Sequence, residues 1–301
     1  MKNLRNDMVR TAKTNIKRGE IMKITMLGTA AIGYPLAFCN CENCKQARIH
    51  KGKSIRKRAS MLINDDLIID LGPDTQTAMT MYDKDMGKLK YLLQTHIHAD
   101  HYDPGLLCTR IPYMAMKNHN LLEIYAHPTC LEIMSNRVNQ FENADLISEE
   151  GSKKLNVQSN IINAGEIVKF GDYKVKAIET THDEKHGSLL YVITSNSKTV
   201  FYATDTSALT ENAIEQLKGY KLDVVIMDHT FGEVDYSFFH LNGSLFIEQI
   251  NKLKNIGCIG EDTLIYGTHI SHDGMSYHEV IEERAIKNGY HIAYDGMEIE
   301  L

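Results

Sequence analysis

His96, His98, Asp100 and His101 stand within one short run, Gln94-Thr95-His96-Ile97-His98-Ala99-Asp100-His101. Three imidazoles and a carboxylate at H-x-H-x-D-H spacing suit zinc, manganese or iron. A metal pair needs more ligands than this cluster holds, so distant segments must contribute. Three further polar residues follow apolar runs. His182 comes after Ile178-Glu179-Thr180-Thr181, Asp205 after Val200-Phe201-Tyr202-Ala203-Thr204, and His269 after Leu264-Ile265-Tyr266-Gly267-Thr268. Residues just past strand ends can be aimed at one point by a rigid sheet. His186 rivals His182, but His182 adjoins the strand whereas His186 lies within the loop.

A second cluster, Cys39, Cys41 and Cys44, has C-x-C-x-x-C spacing. Six cysteines in 301 residues do not make a disulfide scaffold, and this spacing reads as metal binding. Three thiolates leave a tetrahedral zinc one ligand short. His272 follows His269 in Thr268-His269-Ile270-Ser271-His272, so one histidine can serve the first cluster and the other the cysteines. Cys108, Cys130 and Cys258 are scattered and read as small buried apolar residues.

The elements that must position these groups are strand-rich. Strands are expected over Lys23–Leu27, Ser60–Ile63, Asp66–Asp70, Tyr91–Gln94, Leu122–Tyr125, Ile167–Phe170, Lys174–Glu179, Ser188–Thr194, Lys198–Tyr202, Val224–Asp228, Leu264–Tyr266 and His291–Ala293. Asn64-Asp65 and Ser195-Asn196 read as hairpin turns. Helices are expected over Ser207–Leu217, Ser244–Ile256 and Ser276–Lys287, and after Pro73, Pro104 and Pro128. Ser276 and Glu279 have capping-box spacing. The order suggests an α/β protein with two packed sheets and helices outside.

Composition narrows the class. With 43% hydrophobic and 24% charged residues the chain is ordinary for a globular domain. A net charge of -6 argues against a general nucleic-acid surface, and no apolar run is long enough to span a bilayer. Residues 1–21 form a polar extension lacking the apolar core of a signal peptide. One domain is expected over 22–301, in the cytoplasm. Lys45 to Arg58 carries seven basic residues and no acid; it reads as a solvated loop able to attract phosphate.

With these motifs the chain resembles the metallo-β-lactamase superfamily from Met22 onward. The C-x-C-x-x-C and Thr-His-Ile-Ser-His motifs together resemble the phosphoribosyl cyclic phosphodiesterase branch of phosphonate breakdown. The cysteine motif also occurs in a relative from quinone cofactor biosynthesis that has a poorer catalytic ligand set.

The resemblance implies a four-layer αββα sandwich. It also implies two divalent ions, zinc or manganese or iron, with His96, His98 and His182 on one and Asp100, His101 and His269 on the other. Asp205 would bridge both. Cys39, Cys41, Cys44 and His272 would hold a structural zinc. His240, in Phe238-Phe239-His240-Leu241-Asn242, resembles that branch's catalytic histidine and would act as an acid.

Asp70 and Asp228, acids at apolar strand ends, are candidates to accept the second N–H of ligand histidines. Asp74 reads as a helix cap, and His229 is left without a role. The activity expected is a dinuclear metal-dependent phosphodiesterase on a small cyclic or linear phosphate ester. A tRNA 3′-processing-like ribonuclease, a thioester or lactone hydrolase and a non-catalytic zinc protein are the alternatives. A small phosphate ester, and a second copy of the chain, are the partners considered; membrane and nucleic acid are not expected.

Overall fold

A computed structural model describes residues 21–114, 119–274 and 276–301. Apart from Ile21, the expected polar extension lies outside the described residues. The chain forms β1 (Lys23–Gly28), α1 (Glu42–His50), β2 (Ser60–Ile63), β3 (Leu67–Ile69), α2 (Thr75–Met81), β4 (Tyr91–Leu93), α3 (Pro104–Cys108), β5 (Leu122–Ala126), α4 (Pro128–Glu142), α5 (Glu149–Leu155) and β6 (Val157–Ile161). It continues through β7 (Ile167–Phe170), β8 (Tyr173–Glu179), β9 (Leu189–Ser195), β10 (Lys198–Ala203), α6 (Glu211–Leu217), β11 (Val224–Asp228), α7 (Gly243–Asn255), β12 (Leu264–Thr268), α8 (His278–Lys287), β13 (His291–Ile292) and β14 (Glu298–Glu300).

Among the described residues, these strands build two seven-stranded sheets, ordered β14-β1-β2-β3-β4-β5-β6 and β13-β12-β11-β10-β9-β8-β7. Strands β3 to β6 run parallel, as do β10 to β13. Alternation along each strand decides the layers. Met61, Ile63, Leu67 and Ile69 face a core shared with Val200, Tyr202, Val224 and Ile226 of the other sheet. The residues between them point outward. Leu62 and Ile68 pack with Met79 and Met134, and Phe201 and Val225 with Phe246 and Ile281. Strands apolar on both faces are what a sheet covered on both sides requires. The result is the expected αββα sandwich. Cys108, Cys130 and Cys258 are buried in its helix-facing layers.

Several local expectations need correction. The β9–β10 turn is Asn196-Ser197, both left-handed, one residue beyond the expected pair. Helix α8 starts after Tyr277 without a side-chain cap, so Ser276 and Glu279 form no capping box. The expected Ser207 start of α6 moves to Glu211, where Thr210 caps by accepting from Ala213 N at 3.0 Å. Asp74 occupies the N-cap position of α2, yet its carboxylate accepts from Arg58 N and Nη1, each at 3.0 Å, instead of from the helix. Elements β6, β14, α1 and α5 were not foreseen. Strand β6 is a mostly polar sheet edge and β14 is only three residues long, so neither carries a strong apolar signal.

The basic stretch also departs from the solvated-loop reading. It contains most of α1, and its last three cations are bound within the protein. Arg56 is only 3% exposed and donates to Thr29 Oγ1 at 2.7 Å, to the Ala293 carbonyl and to His278 Nδ1 at 2.9 Å. Thr29 in turn donates to Asp295 at 2.7 Å, and Lys57 N donates to the same carboxylate at 2.6 Å. This network ties the segment before β2 to the C-terminal segment. Removing one buried charged partner strands the others. Arg56→Met is therefore expected to cost about 3 kcal/mol, read from the midpoint of guanidinium unfolding. A loss below about 1 kcal/mol would mean the network contributes little to closing the fold.

Candidate metal centre

Strand ends at one edge of the sandwich bring the polar residues together. His96, His98, Asp100 and His101 follow β4, His182 follows β8, Asp205 follows β10 and His269 follows β12. Asp70 follows β3, and Asp228 ends β11. Asp70, Asp205 and His269 have φ of 63°, 53° and 62°. Left-handed backbone is uncommon for non-glycine residues and concentrates at functional sites. Here it turns the chain abruptly as each strand stops. Gly72 lets the loops of this edge meet closely, since a Cβ there would lie 2.3 Å from the Asp100 carbonyl oxygen.

Asp205 lies between two groups of side chains. Its Oδ1 is 3.4 Å from His182 Nε2 and 4.0 Å from His96 Nε2. Its Oδ2 is 2.8 Å from His101 Nε2 and 3.1 Å from His269 Nε2. Asp100 Oδ2 joins the second group, 3.3 Å from His101 Nε2 and 3.6 Å from His269 Nε2. His98 Nδ1 joins the first, 3.2 Å from His182 Nε2. His96, His98 and His182 form one set of candidate ligands, and Asp100, His101, Asp205 and His269 another.

Hydrogen bonding at the outer nitrogens assigns the tautomers. The Phe239 carbonyl only accepts, so His182 Nδ1 donates to it at 3.1 Å. Asp183 lies 3.2 Å from His98 Nε2, which donates to it. The inward atoms, His182 Nε2 and His98 Nδ1, then both present lone pairs to each other. His96 Nε2 is buried and has no hydrogen-bond partner. Facing lone pairs and an orphaned buried nitrogen fit a cation between them.

Electrostatics agree with that fit. Burial pushes the His96 and His182 imidazoles below their ordinary range, which keeps them neutral. Burial opposes ionisation of Asp205, but His101 and His269 outweigh it and hold the carboxyl well below the usual range.

Acceptors behind the rings set their orientation. Asp70 is fully buried. It accepts from His101 Nδ1 at 2.7 Å, Thr95 N at 2.8 Å and Gln94 Nε2 at 3.0 Å. Thr230 Oγ1 contacts His269 Nδ1 at 2.8 Å. Asp228 accepts from His240 Nδ1 at 2.7 Å and from Thr230 N and Leu241 N at 3.0 Å each. Burial opposes protonation of His240, yet Asp228 overcomes it and raises the imidazole to about 9. His240 Nδ1 is 4.0 Å from Asp205 Oδ1.

His186 pairs with Asp183, at 2.8 Å, and is not among the converging ligand atoms. His229 is buried against Tyr290, its Nε2 2.9 Å from the hydroxyl. Asp183, Gln94, Thr95 and Thr230 escaped the sequence reading. Of these only Asp183 carried a signal, being adjacent to His182.

At the second cluster, Cys39 Sγ and Cys41 Sγ lie 3.3 Å and 3.5 Å from His272 Nδ1. Ligand atoms of Cys39, Cys41, Cys44 and His272 all lie within 4.8 Å of one another. The cysteines are free of disulfides. Three thiols and one imidazole converging in this way match a closed tetrahedral zinc donor set.

Residues 66–270 match the family described as the β-lactamase superfamily domain. The chain belongs to the metallo-β-lactamase superfamily. Superfamily folds of known structure superpose along its length. A new diphosphatase from the PhnP family shares 23% identity at a TM-score of 0.69, covering 93% of this chain and 97% of its own. Zn(2+)-bound PqqB from Methylobacterium extorquens shares 18% at 0.64, over 93% and 100%. The short form of human tRNase Z shares 16% at 0.61, over 92% and 98%. No curated protein matches the sequence. The superfamily consists mostly of metal-dependent hydrolases, and the His and Asp clusters described above are in keeping with metal binding. Among the described residues no helix is long and apolar enough to cross a membrane.

Asp70→Asn retains the side-chain size but turns an N–H toward the His101 and Thr95 donors. It is expected to lower stability by about 2 kcal/mol and the thermal midpoint by several degrees. An unchanged midpoint in calorimetry would mean that Asp70 does not hold these donors.

Proposed function

We propose that the chain is a dinuclear metal-dependent phosphodiesterase acting on a small cyclic or linear phosphate ester. The observation carrying this reading is Asp205, whose two oxygens each face a separate histidine group. His96, His98 and His182 would hold one divalent ion and Asp100, His101 and His269 the other, with Asp205 shared. Zinc, manganese and iron all suit this donor set. Cys39, Cys41, Cys44 and His272 would hold a structural zinc, and free thiols there fit the reducing cytoplasm. Divalent ions bound in the pair would activate water and neutralise charge on a phosphoryl oxygen.

The chain's own residues supply the rest. Asp70, Asp183 and Thr230 keep imidazoles turned inward. His240, held through Nδ1 by Asp228, has its other nitrogen available to protonate the leaving oxygen. Water adds to phosphorus and gives up a proton to solvent, the phosphorus–oxygen bond to the leaving group breaks with its electron pair on that oxygen, the oxygen takes the proton from His240, and solvent reprotonates the imidazole.

Metal-loaded protein is expected to hydrolyse bis(p-nitrophenyl) phosphate in preference to a lactone or a thioester, and to carry about three metal ions per chain. Asp205→Ala should abolish turnover and lower metal content. His240→Ala should lower turnover roughly 10²- to 10³-fold with metal content unchanged. Faster lactone or thioester turnover would overturn the phosphodiesterase reading. Unchanged turnover in His240→Ala would remove the proposed acid.

A further inference from the structure

The cleft over the histidine clusters has a volume of about 520 Å³. Its wall is unusual in charge. Among the described residues lining it there is no lysine or arginine, while Asp183 and Asp273 add carboxylates beside the candidate ligands. None of the seven cations of the basic stretch before β2 lines the cleft; Arg56 is buried, Lys57 pairs with Asp295 and Arg58 pairs with Asp74.

The same wall is apolar where it meets solvent. Phe239 is 63% exposed and Ile32 is 55% exposed, and both line the cleft. Phe239 is held at its own backbone, where its carbonyl accepts from His182 Nδ1. Its neighbours cluster within the loop from Thr230 to His240. The ring of Phe231 lies 5.2 Å from Tyr236 and 6.0 Å from Phe238, and Phe231 is 5.8 Å from the His240 ring. An exposed aromatic ring anchored beside a reacting centre is poorly explained by packing and well explained by ligand contact.

Resting on the phosphodiesterase reading, we propose that this cleft selects esters with a single phosphate group and an aromatic ester substituent packed against Phe239 and Ile32. A diester phosphate carries one negative charge. A second, terminal phosphate would need a guanidinium or ammonium partner, and here it would meet Asp183 and Asp273 instead. The aromatic substituent gains a ring contact that a methyl group cannot make.

Binding of non-hydrolysable monoanions to the metal-loaded protein, measured by calorimetry, tests this. Methyl phenylphosphonate should bind about tenfold tighter than methyl methylphosphonate, the worth of one aromatic contact. Phe239→Ala should erase that difference while leaving metal content and the methyl methylphosphonate affinity as they were. Adding a terminal phosphate, as in 2-phosphoethyl phenylphosphonate, should weaken binding tenfold or more. Phenyl and methyl analogues binding within twofold, tighter binding of the phosphate-bearing analogue, or no binding of any analogue would overturn the inference. Bis(p-nitrophenyl) phosphate turnover by the same preparation keeps the two readings apart. Absent turnover with the binding preference intact overturns only the activity, and turnover without the preference overturns only the selectivity.

Discussion

A single buried carboxylate constrains this edge of the protein. Asp205 is 3% exposed and ionised, so its charge must be compensated where it lies. The compensating groups come from both sheets: His101 from the loop after β4 and His269 from the end of β12. The two halves of the sandwich therefore have to close in register for the carboxylate to be tolerated at all. Left-handed backbone at Asp205 and His269 is accepted at the same place, and such strain persists only where surrounding structure over-determines it.

Ring orientation is the second layer of control. An acceptor behind the outer nitrogen of an imidazole fixes which way the ring points. Asp70 does this for His101, Asp183 stands behind His98 and the Phe239 carbonyl stands behind His182. The Phe239 contact joins the histidine cluster to the aromatic loop, so the backbone that orients a candidate ligand also presents the exposed ring of the cleft wall. The segment Thr268–His272 couples the two clusters in a similar way. Ile270 between its histidines is fully buried and bridges to Ala30, which seats His269 in one cluster and His272 in the other.

Much of the fold was legible because its strands are short apolar runs bounded by turn residues, and their alternation assigns two layers of core. What escaped detection has weak local signals. Strand β6 is a polar edge, and most of α1 lies inside a cation-rich stretch that looks like loop. Asp74 stands where a cap belongs but is drawn to Arg58. Such pairings depend on neighbours far away in sequence.

The residue types and their spacing alone gave the candidates for both clusters and two packed sheets with helices outside, because metal-ligating side chains are rare and were packed at short intervals or at strand ends; the superfamily and its αββα sandwich came through the resemblance those motifs carry. Only the tertiary structure decided between His182 and His186 as the residue beside His98, found Asp183, Thr95 and Thr230 behind the rings, and turned the basic stretch into an internal brace. These outcomes rest on distances between segments up to some 240 residues apart (Arg56 to Ala293 spans 237). No local pattern encodes them, since each follows from which strand ends the two sheets bring to a common edge.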